Sequence, residues 1–169
     1  MKLTSLKGIL FALLVVATFG CKDDLEYGPL VRDNRPAVPV TFPNATTFGG
    51  NPFIEVSTAA NTPIEFTLSI PASTGRTIKE ITRVVGGTTA INPASLNTTA
   101  NLFQQAPIPA TGTTAKFSTT LAAFRTRYPT VSVTPGTATV PREIAFMFLV
   151  TLDDNTQIVT QQVRARINP

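Results

Sequence analysis

Ile144-Ala145-Phe146-Met147-Phe148-Leu149-Val150-Thr151-Leu152, followed by Asp153-Asp154-Asn155-Thr156, is the stretch that decides the fold. Successive side chains of a strand point to opposite faces. Here Ile144, Phe146, Phe148, Val150 and Leu152 make one apolar face, and Ala145, Met147 and Leu149 keep the other apolar as well. Such a run, rich in β-branched and aromatic residues, predicts a central strand covered on both sides. The next run places Val159, Gln161, Val163, Ala165 and Ile167 on one face and Thr160, Gln162, Arg164 and Arg166 on the other, the alternation of a half-buried strand. The residues between the two runs suit a tight connection, so the pair is expected to form a hairpin that closes the domain.

Working upstream, residues 64–70 alternate Ile64, Phe66, Leu68 and Ile70 with Glu65, Thr67 and Ser69, again one face buried and one wet. Weaker strands are expected at residues 38–42, 53–57, 77–85 and 115–119. Over 77–85 the apolar positions Ile78, Ile81, Val84 and Val85 fit a helix nearly as well as a strand; β-branching and the following Gly86-Gly87 favour the strand. A short helical turn is expected over 120–126, with Leu121 and Phe124 on its inner side and Pro129 preventing extension. Residues 88–114 have no clean period and read as long loops with one irregular edge strand. Together these elements predict an all-β fold over residues 38–169, an immunoglobulin-like β-sandwich of about seven strands with one short helical turn. The Cys-Trp-Cys core signature of antibody domains is absent, since the chain has one cysteine and no tryptophan.

The stretch from Ile144 to Thr156, with Val163-Arg164-Ala165-Arg166 after it, resembles the last hairpin of immunoglobulin-like modules in Bacteroidota surface lipoproteins, among them the N-terminal modules of SusE- and SusF-type proteins. The resemblance covers about half of the chain beyond residue 20. It implies a fold and a location, and it carries over no binding residue.

The start of the chain agrees with that location. Lys2 and Lys7 precede an apolar run from Ile9 to Phe19, the layout of a secretory signal, and the run is too short to span a bilayer, which takes about 20 apolar residues. Thr18-Phe19-Gly20-Cys21 resembles the lipobox read by lipoprotein signal peptidase, which implies removal of residues 1–20 and a diacylglyceryl thioether on Cys21. Thr18 and Phe19 stand where that box usually has an aliphatic and a small residue. The alternative is ordinary secretion, which would leave a lone thiol open to oxidation. Lys22, Asp23 and Asp24 resemble the lysine-plus-acidic export signal of Bacteroidota surface lipoproteins; a merely solvated start to a linker is the other reading. Residues 21–37, with Pro29 and Pro36 and no hydrophobic period, read as a flexible tether. At roughly 3.3 Å per residue it reaches up to about 50 Å from the lipid. The expected address is therefore the outer membrane, lipid-anchored and facing the cell exterior.

Composition narrows the chemistry. Loss of Lys2 and Lys7 with the signal takes the formal charge from +4 to +2, a small excess that does not suggest a nucleic-acid partner. A hydrophobic share of 43% against 14% charged residues favours a folded domain over a disordered one. With no histidine, the Ser-His-Asp arrangement and the common zinc sites are unavailable. No catalytic residue, metal site or cofactor is therefore expected. The carboxylates Glu55, Glu65, Glu80, Glu143, Asp153 and Asp154 show no spacing that favours a facing pair of the glycosidase kind.

Two surface features remain. Gln162, Arg164 and Arg166 would form a basic stripe on the outer face of the last strand, with Lys79 and Arg83 as additional members. It reads as a candidate partner-binding stripe, or as charge that keeps an edge strand from pairing. Phe48, Phe53 and Phe103 would stand on loops, where an exposed ring could stack a sugar. The expectation is a monomeric, non-catalytic interaction or accessory module whose partners are the membrane, through Cys21, and either an outer-membrane protein complex or a glycan. The glycan reading makes it an accessory of polysaccharide uptake.

Overall fold

The computed structural model describes residues 36–48, 50–137 and 139–169. Cys21, Lys22, Asp23 and Asp24, with residues 1–20 and the rest of the tether up to residue 35, lie outside the described residues. The strands run β1 (Phe53–Ser57), β2 (Ile64–Ser69), β3 (Ile78–Gly87), β4 (Leu102–Gln104), β5 (Ile108–Pro109) and β6 (Thr114–Thr119). Helix α1 (Leu121–Arg127) precedes β7 (Arg142–Leu152), β8 (Gln157–Val159) and β9 (Val163–Asn168). The larger sheet has the order β1-β9-β7-β3-β4, with β5 also on β3 and β8 also on β7; the smaller is β2-β6. Every pairing is antiparallel except β1 with β9. Three central strands facing a second sheet, with a crossover carrying the helix between β6 and β7, make an all-β sandwich of immunoglobulin-like layout.

The core lies between the sheets. Phe66 of β2, Phe117 of β6 and Phe146 and Phe148 of β7 are fully buried, with Phe117 5.4 Å from Phe146 and 5.3 Å from Phe148, centroid to centroid. Burying each ring stabilises the fold by roughly 1.5–3 kcal/mol. As its pattern requires, β7 is buried on both faces. Its far side, Met147 and Leu149, packs with Val85, Leu96, Leu102 and Ile91 in a second small cluster. The cover comes from the 88–114 segment, which is more ordered than its sequence suggests. A 3₁₀ turn, Pro93–Asn97, is capped by the Asn92 side chain accepting from Ala94 N–H, and Arg83 donates to the Leu96 carbonyl at 3.0 Å. The segment also contributes two short edge strands, β4 and β5, where one irregular strand is expected.

Helix α1 forms where a helical turn is predicted. Thr120 caps it by accepting from Ala123 N–H at 3.1 Å, and Phe124 is buried in the core. Just beyond, the Tyr128 hydroxyl accepts from Gly86 N–H at 2.9 Å and donates to the Asn101 carbonyl at 2.8 Å, tying the crossover to β3 and to the start of β4.

Two local expectations are corrected, and the strand expected over residues 77–85 forms with an irregular register. Residues 38–42 do not form a strand; Thr41 alone bridges Ser69, its N–H and C=O bonded at 2.8 and 2.9 Å. An antiparallel ladder would use residues 39 and 43 next, and both are prolines without an N–H. In β3, the register against β7 slips between Ile78 and Glu80 and again between Ile81 and Arg83. Each slip inserts an extra residue, so Ile78, Ile81 and Val84 are all buried at a spacing of three. The helix-like period of this segment is the signature of two bulges. Finally, β8 and β9 both pair with β7 but one register apart, Leu149 with Val159 and Phe146 with Val163. The bulge reverses the faces before Val163: Thr160 is buried and Val159 and Gln161 are exposed, opposite to a single uninterrupted strand.

Candidate functional site

Arg164 and Arg166 of the predicted stripe lie on the outer face of β9, with Gln162 just before it, and they are linked through shared hydrogen bonds. Glu143, opposite Arg166 on β7, has a side chain only 14% exposed. Arg164 donates Nη1 to its Oε2 at 2.8 Å, and Arg166 donates Nη2 and Nε to its Oε1 at 2.9 and 3.2 Å. The Arg166 guanidinium also stacks on Phe53, 3.8 Å from the ring centroid. Gln162 accepts from Asn51 Nδ2 at 3.1 Å and from Arg164 Nη2 at 3.4 Å, and donates to the Thr89 carbonyl at 2.9 Å. Lys79 and Arg83 do not join this network. Lys79 donates to Asn155 Oδ1 at 3.0 Å and Arg83 holds Leu96. Both guanidinium groups are turned onto the one Glu143 carboxylate and each side chain is only about 30% exposed, so the stripe presents little open donor surface to an acidic polymer.

The three loop phenylalanines have separate fates. Phe103 is packed among Phe117, Phe124, Tyr128 and Phe146, with centroids 5.8 to 6.3 Å away, and is no platform. Phe53 belongs to β1 and lies under Arg166. Phe48 is exposed, at 85%, and leans on Phe53 with centroids 6.2 Å apart.

Phe48 lines a groove of about 720 Å³, with Thr46, Ile54, Glu55, Pro63 and Glu65. A second groove of about 520 Å³ adjoins it through Glu55 and is lined by Thr137, Pro141, Arg166 and Asn168. The two follow β1, the free edge of the larger sheet. At its ends this edge is occupied: Phe53 exchanges both backbone bonds with Thr46, at 2.7 and 2.9 Å, and the Ser57 carbonyl accepts from Thr62 at 3.1 Å. By strand alternation the peptide groups of Glu55 face the same edge, between those two closures.

No spacing in the sequence favours a facing carboxylate pair, but the fold puts Glu55 and Glu65 in one groove. Glu65 is ion-paired with Lys116 at 2.8 Å. Asp153 meets Arg76 at 3.0 Å; Asp154 also contacts Arg76 and accepts from Thr156 N–H, and these contacts hold its carboxyl below the usual range, the Thr156 bonds most of all. Glu80 accepts from Thr82. Of the six acidic side chains after residue 36, only Glu55 has no hydrogen bond or ion pair among the described residues. Burial pushes the Tyr128 phenol above its ordinary value, outweighing the Gly86 hydrogen bond and the nearby Arg127, which act in the opposite direction. Among the described residues no three His, Cys, Asp or Glu side chains are grouped to hold a metal ion.

Sequence reasoning passed over the Glu55 surface. Its signal was present in a five-residue strand with a lone carboxylate at its centre, but nothing in the sequence says that β1 is a sheet edge. Comparison with protein-family models, with curated proteins and with solved structures found no match to this chain.

Proposed function

We propose that this chain is a non-catalytic lipoprotein of the bacterial outer membrane, tethered through lipid on Cys21 and facing the cell exterior, whose sandwich domain is an interaction module. The address rests on the signal-like start and on Cys21 as the only cysteine, placed at the predicted cleavage point. The observation that carries the interaction reading is the surface along β1. Three large apolar side chains stand exposed on the described residues, Phe48 at 85%, Val140 at 73% and Val159 at 46%. Phe48 lines the first groove there, and Val140 precedes Pro141, which lines the second. Exposed apolar anchors beside a polar rim are the usual anatomy of a protein-binding patch.

A second reading, a glycan-binding accessory of polysaccharide uptake, is favoured by the Phe48 ring standing beside Thr46, Thr62 and Glu55. It is weaker because sugar recognition generally needs a broad aromatic platform, and Phe53, the neighbouring ring, is covered by Arg166. The test has two parts. Mass spectrometry of the mature N-terminal peptide is expected to find acyl chains on Cys21, and Cys21→Ala is expected to release the protein from membranes; an unmodified thiol removes the address. Pulldown of the intact lipoprotein from native membranes, run beside a glycan array, separates the readings. A stable co-purifying receptor with a blank array favours the interaction module. Micromolar array hits abolished by Phe48→Ala favour the glycan reading.

A further inference from the structure

We infer that the β1 edge around Glu55 docks an extended, basic segment of a partner protein, an inference that rests on the interaction reading and gives its partner a chemistry. Three observations meet there. The Glu55 carboxylate has no partner among the described residues, whereas every other carboxylate of the domain has one. Its peptide N–H and C=O face the free edge between the closures at Phe53 and Ser57, leaving one rung for an incoming chain. Its two adjoining grooves are lined by Phe48 and by Pro141 respectively.

An extended segment repeats its side-chain direction every second residue. A lysine or arginine set against Glu55 therefore points its i−2 and i+2 neighbours toward the same face, where Phe48 and Pro141 line the adjoining grooves. The lining of the first groove holds no basic side chain and Glu55 is its unpaired charge, so a basic segment is favoured there over an acidic one. The open edge is too short to template a full strand of another sheet. Thr46 and Thr62 limit the rung to one residue, so the side chains, rather than a long ladder, select the segment.

The test uses the intact lipoprotein in neutral detergent and two labelled peptides, Val-Thr-Lys-Thr-Val and the same peptide with glutamate at its centre, read by fluorescence polarisation. The lysine peptide is expected to bind about tenfold tighter than the glutamate peptide, as for a charge-assisted contact at a part-exposed site. Glu55→Gln should reduce that preference to near unity and Glu55→Lys should reverse it; the position is exposed, so folding is unaffected. Phe48→Ala should weaken both peptides together. Equal binding of the two peptides, a preference unmoved by Glu55→Lys, displacement of the lysine peptide by a neutral oligosaccharide, or occupation of this edge by a second copy in sedimentation each overturns the proposal. A receptor that co-purifies equally well with Glu55→Lys keeps the interaction reading and removes this docking site. A peptide preference without any co-purifying receptor does the reverse.

Discussion

Asn44 holds Glu65 as a neighbouring strand would. Its Nδ2 donates to the Glu65 carbonyl at 2.8 Å while its Oδ1 accepts from Thr67 N–H at 2.9 Å, so one carboxamide stands in for one peptide group on the outer edge of β2. Thr41 closes the same edge at Ser69, and Pro39 and Pro43 prevent any longer ladder. Asn44→Ala is expected to cost about 1–2 kcal/mol in urea unfolding, two modest hydrogen bonds partly replaced by water. It should also raise the tendency to associate through this edge, visible as concentration-dependent light scattering. A variant with unchanged stability and no association would show that the edge needs no such closure.

Glu143 is the keystone of the outer face of β9. Removing it by Glu143→Ala leaves Arg164 and Arg166, each with a side chain about 30% exposed, facing each other without a counter-charge. Fully buried pairs broken in this way lose about 3–5 kcal/mol, and partial exposure of the arginines lowers the expected loss to about 1–3 kcal/mol. Arg166→Leu on the same background should recover part of that loss, because an apolar side chain can still cover Phe53. Chemical denaturation of the single and double variants measures both.

How far the sequence spoke depends on how local each decision was. The two-sided burial of β7, the alternation of β2, the turn at residues 153–156 and the cap at Thr120 each rest on residues close together, and each appears in the fold. Bulges are another matter. An extra residue changes the parity of everything beyond it, and only the partner strand fixes where it falls, which is why Val159 and Thr160 exchange faces and why Ile78, Ile81 and Val84 mimic a helix. The stripe was legible as charge, but its closure was not, since Glu143 lies more than twenty residues before Arg166 and meets it only through strand pairing. Glu55 escaped notice for the same reason. Its distinction is the lack of a partner, and partners are a property of the fold.

The phenol of Tyr128 gives the fold an alkaline limit. Burial raises its folded-state value above the ordinary one near 10, so the neutral form is favoured in the native protein. The sign follows: the stability linked to Tyr128 is fully present below about pH 10 and is lost as pH rises through the folded-state value. Tyr27→Phe leaves Tyr128 as the chain's single tyrosine. In that variant the ultraviolet titration should begin later than for free tyrosine and should coincide with loss of the β-type circular dichroism signal. A titration at the ordinary value with the fold intact would contradict the tie between Tyr128, Gly86 and Asn101.

The bulge between β8 and β9 is held by a single hydroxyl. Thr160 is one of the few buried polar residues, 5% exposed; its N–H donates to the Phe148 carbonyl at 2.9 Å and its Oγ1 accepts from Phe148 N–H at 3.1 Å. The register change takes that amide out of the ordinary ladder, and the side chain supplies the missing acceptor. Thr160→Val keeps the shape and removes the oxygen, leaving a buried N–H without a partner in the middle of the central strand. The expected cost is about 1–3 kcal/mol, whereas Thr160→Ser, which retains the acceptor and loses a methyl, should cost less. Stability alone could be lowered by imperfect packing, so the sharper measurement is hydrogen exchange at Phe148. In Thr160→Val its amide should exchange faster relative to Val150 on the same strand, while in Thr160→Ser the two should keep their order. If Phe148 stays as protected with valine as with threonine, another acceptor serves the bulge and the hydroxyl is not what fixes the register.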